Sequence, residues 1–265
     1  MPIRRWAAAR VVCARGADAL SVGLSAGLSG VRAAKGPWWI RPAPDRRGTL
    51  FGVSPAFQDV ITTEAELRTL YREPGAGAVR KEIDRLDDNA RALIAHSPFV
   101  LIATAAADGR CDVSPKGGPP GFVRVLDDHR LAIPDMAGNN RLDSMQNLVA
   151  NPGIALLFVI PGLDETFRVN GQARIARDAD VLDQCEVAGL RPRVVIGVEV
   201  ETAYIHCAKA LRRGSVWQPD AWPDRTDMPS VACMLRDHVG DMDVPVEAVQ
   251  ARLDQSYATT MWRVD

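Results

Sequence analysis

The sequence predicts a mainly β chain with flanking helices, its strands antiparallel and wrapped into a closed or partly closed barrel. Three observations point there. Strand-like segments between residues 99 and 208 follow one another as hairpins with short turn signals. A single short helical pattern interrupts them, and regular βαβ alternation is absent, which argues against a doubly wound sheet. The 265 residues hold 47% hydrophobic and 25% charged residues, enough apolar material for one large domain with an appendage.

The elements follow in order. Residues 1–52 are rich in Arg, Ala and Gly and nearly free of acidic residues, so they are expected to be a disordered tail or sequence upstream of the true start. The apolar stretch "DALSVGLSAGLSGV" falls short of the roughly 20 apolar residues of a membrane span, and no compact core precedes a cleavage site. Thr62 or Thr63 is placed to cap a helix over "EAELRTLY", which Pro74 and two glycines end. "AVRKEIDRLDDNARALIAHS" reads as one amphipathic helix with Val79, Ile83, Leu86, Ala90 and Ile94 near one face, and His96 at its end reads as a capping or packing residue.

After Pro98 the pattern turns to strands. "FVLIATAAADGRCDVSPKG" is a hairpin turning at Asp108-Gly109, and "FVRVLDDHRLAIPD" a second turning at Asp127-Asp128. A helix is expected from about Arg141 to Ala150, stopped by Asn151-Pro152, since proline disfavours the helical conformation of its predecessor. "GIALLFVIPG" and "TFRVNGQARIAR" are two further strands, the second with a bend or bulge at Asn170-Gly171. "VLDQCEVAGL" reads as a short helix and "RVVIGVEVETAYIHCA" as a long strand. Residues 53–217 thus form the domain, and 218–265 an extension with a short helix from Pro245 to Leu253.

Charge and cysteines narrow the function class. A net charge of -1 gives no electrostatic reason to bind nucleic acid or an anionic membrane, so small-molecule chemistry is the better expectation. Five scattered cysteines without a CxxC pair fit a reducing cytoplasm. His206 and Cys207 are adjacent in a strand, point to opposite faces, and so do not readily share one metal with Cys111; no metal site is expected. Neither a nucleophile elbow nor a His-Glu metal motif appears, although Ser114 and Lys116 share a strand face and allow a Ser-Lys dyad geometrically.

The strongest local signal runs from Cys111 to Asn151. Lys116 ends a strand before Gly117-Gly118-Pro119-Pro120-Gly121, and Arg141 opens a helix after Gly138-Asn139-Asn140. Two cations beside Gly-rich turns and a helix N-terminus are the ingredients of a phosphate cradle, while two surface turns with solvated charges fit the same spacing.

Together, "ATAAADGRCDVSPKGGPPGFVRV", "LAIPDMAGNNRLDSMQNLVANP", "FRVNGQARI" and "AYIHCAKALRRGSVW", in this order, resemble the FMN-binding split-barrel family related to pyridoxamine 5'-phosphate oxidase, over roughly residues 57–217. The resemblance implies a six-stranded antiparallel split β-barrel, a homodimer, and FMN held between the subunits. It implies Ser114 and Lys116 near the flavin phosphate or ribityl chain, and Asn139, Asn140 and Arg141 at the helix entry that holds the phosphate. It further implies Lys209, Arg213, Ser215 and Trp217 against the flavin ring or phosphate, with Lys209 at the pyrimidine edge, and Arg168 reaching the partner's flavin. For Trp217 a core or interface role, and for Arg168 a solvated surface role, remain open beside these. The C-terminal "ARLDQSYATTMWRVD" lacks the segment with which authentic pyridoxamine 5'-phosphate oxidases grip the vitamin phosphate, which argues against vitamin B6 oxidation. The implied activity is a flavin-dependent oxidoreductase acting on a small molecule or electron carrier. The alternatives are a non-catalytic flavin-binding or redox-sensing module, or a barrel using the deazaflavin F420 or haem, the last with His206 as axial ligand.

Overall fold

The structure, a computed structural model, describes residues 57–240 and 244–263. The expectation for residues 1–52 lies outside them. The described residues divide between Pro74 and Gly75 into two units. In the first, Thr63 caps α1 (Glu64–Leu70): its hydroxyl accepts from the Glu66 N–H at 3.2 Å.

The second unit carries the barrel. The single long helix expected over residues 78–97 is instead two, α2 (Ala76–Arg80) and α3 (Asp88–His96). Between them Ile83 exchanges two backbone hydrogen bonds with Ala203, at 3.0 and 2.7 Å, and Asp87 caps the new helix by accepting from Ala90 N–H at 2.8 Å. A pairing with a strand more than a hundred residues away overrides the local helical period, and Asp87 then offers a better start than continuation does.

The strands are β1 (Phe99–Ala105), β2 (Cys111–Gly117), β3 (Arg124–Val125), β4 (Arg130–Pro134), β5 (Gly153–Val159), β6 (Thr166–Ala176) and β7 (Val195–His206). They form one sheet in the order β2-β1-β5-β6-β7-β4-β3, antiparallel throughout, so the count is seven rather than the six expected; the additional strand is the two-residue β3. Both hairpins turn where the sequence places them, with Gly109 at φ 85. Helix α4 (Asp143–Ala150) covers one end of the barrel, α5 (Ala179–Gln184) joins β6 to β7, and α6 (Lys209–Arg213), α7 (Val231–Val239) and α8 (Val246–Thr260) follow β7. Helix α8 runs seven residues beyond the expected Leu253, and α6 and α7 were not expected.

Alternate residues of β1, β5 and β6 point inward, burying Val100, Ile102, Leu156, Phe158 and Val169 with Leu86 and Ile94 from the α3 segment. A second cluster, Ala132, Leu182, Cys185 and Val195, seats α5. Strand β2 departs from the rule. Opposite inward-facing Ile102 and Val100 it presents Ser114 and Lys116, and none of its residues is buried. A flat sheet would hold β2 and β4 five steps of about 4.8 Å apart, roughly 24 Å. Yet Lys116 Nζ lies 2.9 Å from Asp135 Oδ1, just past β4, so the sheet curls until its two ends meet through side chains.

A register shift at Asn170/Gly171 supplies the expected bulge, with the extra residue, Glu201, in β7. Before it Ile196, Val198 and Val200 are buried; after it Ala203 is, and Thr202, Tyr204 and His206 turn to the outer face beside Arg168. Gly171 is required there, because a Cβ would stand 2.0 Å from the Glu199 carbonyl oxygen. Among the described residues no helix is long and apolar enough to cross a membrane.

Candidate cofactor cleft

Where β2 meets the loop after β4, a cleft of about 400 Å³ opens, lined by Ser114 and Lys116 from β2, residues 135–145, Ile175 from the end of β6, and Arg193 and Val194 before β7. Its inner wall is polar because β2 turns its polar residues inward. Ser144, buried in the first turn of α4, donates to Asp112 Oδ2 at 2.7 Å and lies 2.9 Å from Ser114 Oγ, and Ser114 Oγ is 3.2 Å from the same carboxylate oxygen. Asn147 Nδ2 donates to Thr104 Oγ1 at 3.0 Å, fixing α4 to β1.

The loop into α4 holds uncommon backbone. Asn140 and Leu142 sit at φ 56 and φ 58 on either side of Arg141, and the Arg141 N–H donates to Asn139 Oδ1 at 3.1 Å. Asparagine tolerates the left-handed region; leucine there is costly and signals a backbone held for a purpose. Left-handed Leu142 also explains why α4 starts at Asp143 rather than at Arg141. Leu142 gives no side-chain cap, so the helix-entry N–H groups lack that acceptor.

Each of two cleft cations faces a carboxylate. Lys116 pairs with Asp135 at 2.9 Å, both about a quarter exposed, and Arg141 Nε pairs with Asp143 Oδ2 at 2.8 Å. The Asp143 hydrogen bond and charge hold the Arg141 guanidinium above its ordinary pKa against an opposing effect of burial, with Asp112 adding the least. Arg193 has no ion pair among the described residues. At the rim the Ala137 N–H donates to the Arg263 carbonyl at 3.1 Å, which fastens the chain after α8 to the cleft loop.

Residues 86–207 match the family described as Pyridoxamine 5'-phosphate oxidase. The matched segment runs from Leu86, just before α3, to the residue after β7. Solved structures similar to this chain include Group A Streptococcus HupZ, with 20% identity over 43% of this chain and 89% of that one at a TM-score of 0.37. They also include the FAD binding protein from Mycobacterium smegmatis, with 16% identity over 46% of this chain and 98% of that one at a TM-score of 0.32. Likenesses at this level add nothing to the site. A search of curated proteins found no match.

Of the ten residues singled out from sequence, the cleft brings together Ser114, Lys116, Asn139, Asn140 and Arg141. The other five lie elsewhere. Arg168 is at the opposite end of β6 from Ile175, seven residues or roughly 23 Å away along the strand. Lys209 and Arg213 are exposed on α6, with Arg213 Nε donating to its own helix at Lys209 O. Ser215 and Trp217 line a separate pocket beside Asp164, and the Trp217 indole donates to Leu163 O at 2.8 Å, tying the α6 segment to the β5–β6 turn. Sequence reasoning missed Asp135, Asp143, Ser144 and Arg193. The acids adjoin the very loop that drew attention, so the alternation of charges in "IPDMAGNNRLDS" was the available signal.

Proposed function

We propose that the cleft binds FMN through its phosphate and that the protein is a flavin-dependent oxidoreductase acting on a small molecule. The observation that carries this reading is the convergence of Lys116, Arg141, Arg193, Ser114 and the open N-terminus of α4 in one cleft of about 400 Å³, within the size range of small-molecule sites. The donor set fits a phosphate: arginine can engage two oxygens, and the hydroxyls and helix N–H groups complete the shell. Asp135 and Asp143 hold Lys116 and Arg141 meanwhile, so binding exchanges one anion for another rather than filling an unpaired cationic pocket. A bound flavin would supply the redox chemistry, and the chain would supply position and exclusion of water.

A second copy of the chain belongs to the same reading. Arg168, Lys209, Arg213, Ser215 and Trp217 lie away from the cleft of their own chain, so contact with a flavin there requires them to come from a partner. The half-buried outward side chains of Phe99, Leu101, Leu157 and Val159 give two copies an apolar face to share. Haem has less support, since the Nε2 of His206 is shielded from solvent.

The test is the absorption spectrum of the purified protein after FMN is added and the excess removed by gel filtration. Retained flavin bands, released as FMN on denaturation, support the reading; a colourless protein refutes it. Flavin bleaching that depends on an added substrate separates a catalyst from a carrier, and sedimentation with and without FMN reads the dimer.

A further inference from the structure

The outer face of β6 and β7 carries a second concentration of positive charge, and its setting differs from that of the cleft. Lys81, just after α2, reaches across to donate to the Ile205 carbonyl at 2.7 Å, with its Nζ 5.2 Å from the centroid of the Tyr204 ring. From the other side the Arg168 guanidinium lies 5.7 Å from the same centroid and donates to Tyr204 Oη at 3.1 Å. The His206 ring is 5.1 Å from Tyr204, and its Nε2 is buried without a hydrogen-bond partner. No ion pair among the described residues involves Lys81 or Arg168. Like charges gathered without a counter-ion repel, so an arrangement of this kind is most stable with an anion present. Lysine and arginine each retain N–H donors beyond the ones used here.

We propose that Lys81 and Arg168, arrayed over Tyr204 on the outer face of β6 and β7, form a binding site for the oxyanion of a small molecule, a carboxylate or a phosphate. The two cations contact the oxyanion, Tyr204 holds them in place through its ring and hydroxyl, and His206 lies beside the site and responds to its charge. Burial first, then the Arg168 and Lys81 charges, push the His206 pKa below its ordinary value, so a bound anion makes the ring easier to protonate. The site stands on its own geometry, whether or not the cleft holds FMN.

The experiment follows the histidine ring signals of the full chain by NMR at fixed pH. Inorganic phosphate and malonate are titrated separately, with chloride matching the ionic strength, and H206Q assigns the signal. The expected result is a saturable movement of the His206 signal with phosphate, malonate or both, which also tells the two oxyanions apart. Lys81→Ala and Arg168→Ala should each weaken it about tenfold, as loss of a charge-assisted contact does. K116A in the cleft should leave it unchanged. Lys81 is exposed, so its truncation does not threaten the fold. A His206 signal that does not move, that moves equally with chloride, that keeps its affinity in K81A, or that follows protein concentration in place of added anion would overturn the proposal. The last outcome would assign the anion to a second copy of the chain.

Discussion

The cleft and the β6–β7 face each collect cations, and they manage them in opposite ways. In the cleft Lys116 has Asp135 and Arg141 has Asp143, with Asp112 behind them. On the outer face Lys81 and Arg168 have, among the described residues, a tyrosine, a carbonyl and a histidine whose Nε2 lacks a partner. A cleft with built-in counter-ions is stable when empty and yields affinity to any ligand that must displace them. A cationic patch without counter-ions carries that cost in the free protein and regains it on binding. Charge density alone is thus a poor guide to a site; the neutralisation of that charge says more about what a ligand must do.

The largest effect should come from the residue that separates the two regions. The bulge opposite Gly171 is what turns Tyr204 and His206 outward, and a Cβ at 171 meets the Glu199 carbonyl oxygen at 2.0 Å. Gly171→Ala should cost about 3 kcal/mol, as backbone displacement in a packed sheet does, and disturb the patch before the cleft. Thermal denaturation reads the first part. If the His206 signal is unmoved in the folded variant, the bulge does not build the patch.

Next in size are the cleft cations. Lys116→Ala and Arg141→Ala should each weaken FMN binding by roughly 1.5 to 3 kcal/mol, about one to two decades. Fluorescence titration of FMN measures this, and wild-type affinity in both variants would remove the phosphate from this cleft. If K81A weakens FMN as much as K116A, the two regions serve one ligand and the contrast between them fails. A smaller effect of opposite sign belongs to Asp135→Asn, which takes a competing anion from Lys116. FMN should bind more tightly by about 1 kcal/mol, the scale of a partly exposed pair; weaker binding would mean that Asp135 positions Lys116 rather than competing for it.

Much of this architecture was legible because its signals are local. Asp108-Gly109 fixed one hairpin, Thr63 capped α1, and Asn170-Gly171 marked the bulge, each through the conformational demands of a few neighbouring residues. The Lys116 and Arg141 loops stood out because both adjoin glycine- and asparagine-rich turns that the chain needs for its bends. What escaped was non-local. The break between α2 and α3 depends on Ile83 finding Ala203, and the pairing of Lys116 with Asp135 depends on the sheet curling. Arg193 comes to the cleft only because β7 lies beside β4 and β6. The Lys81–Tyr204–Arg168 cluster needs both a chain reversal and the bulge, so no window of sequence contains it. Helix α7 was missed although Ser230 caps it by accepting from Cys233 N–H.

The smallest expected effect concerns pH. His206 titrates below its ordinary 6.5 in the folded chain, chiefly through burial and then through Arg168 and Lys81, while the Tyr204 ring lies beside it at 5.1 Å. Below that ordinary value the unfolded chain takes a proton that the folded chain resists, so the unfolded state binds more protons and stability falls with falling pH. Above it both states hold the ring neutral and His206 contributes no slope. Measured against pH, the wild-type Tm should therefore drop as pH falls through about 6.5 more steeply than that of His206→Gln. Saturating phosphate should reduce the difference, because an anion over Tyr204 offsets the two positive charges that oppose protonation, whereas D135N should leave it intact. Equal slopes in wild type and H206Q would mean that the ring is not held neutral by its surroundings, and the contrast between a compensated cleft and an uncompensated outer face would lose its electrostatic basis.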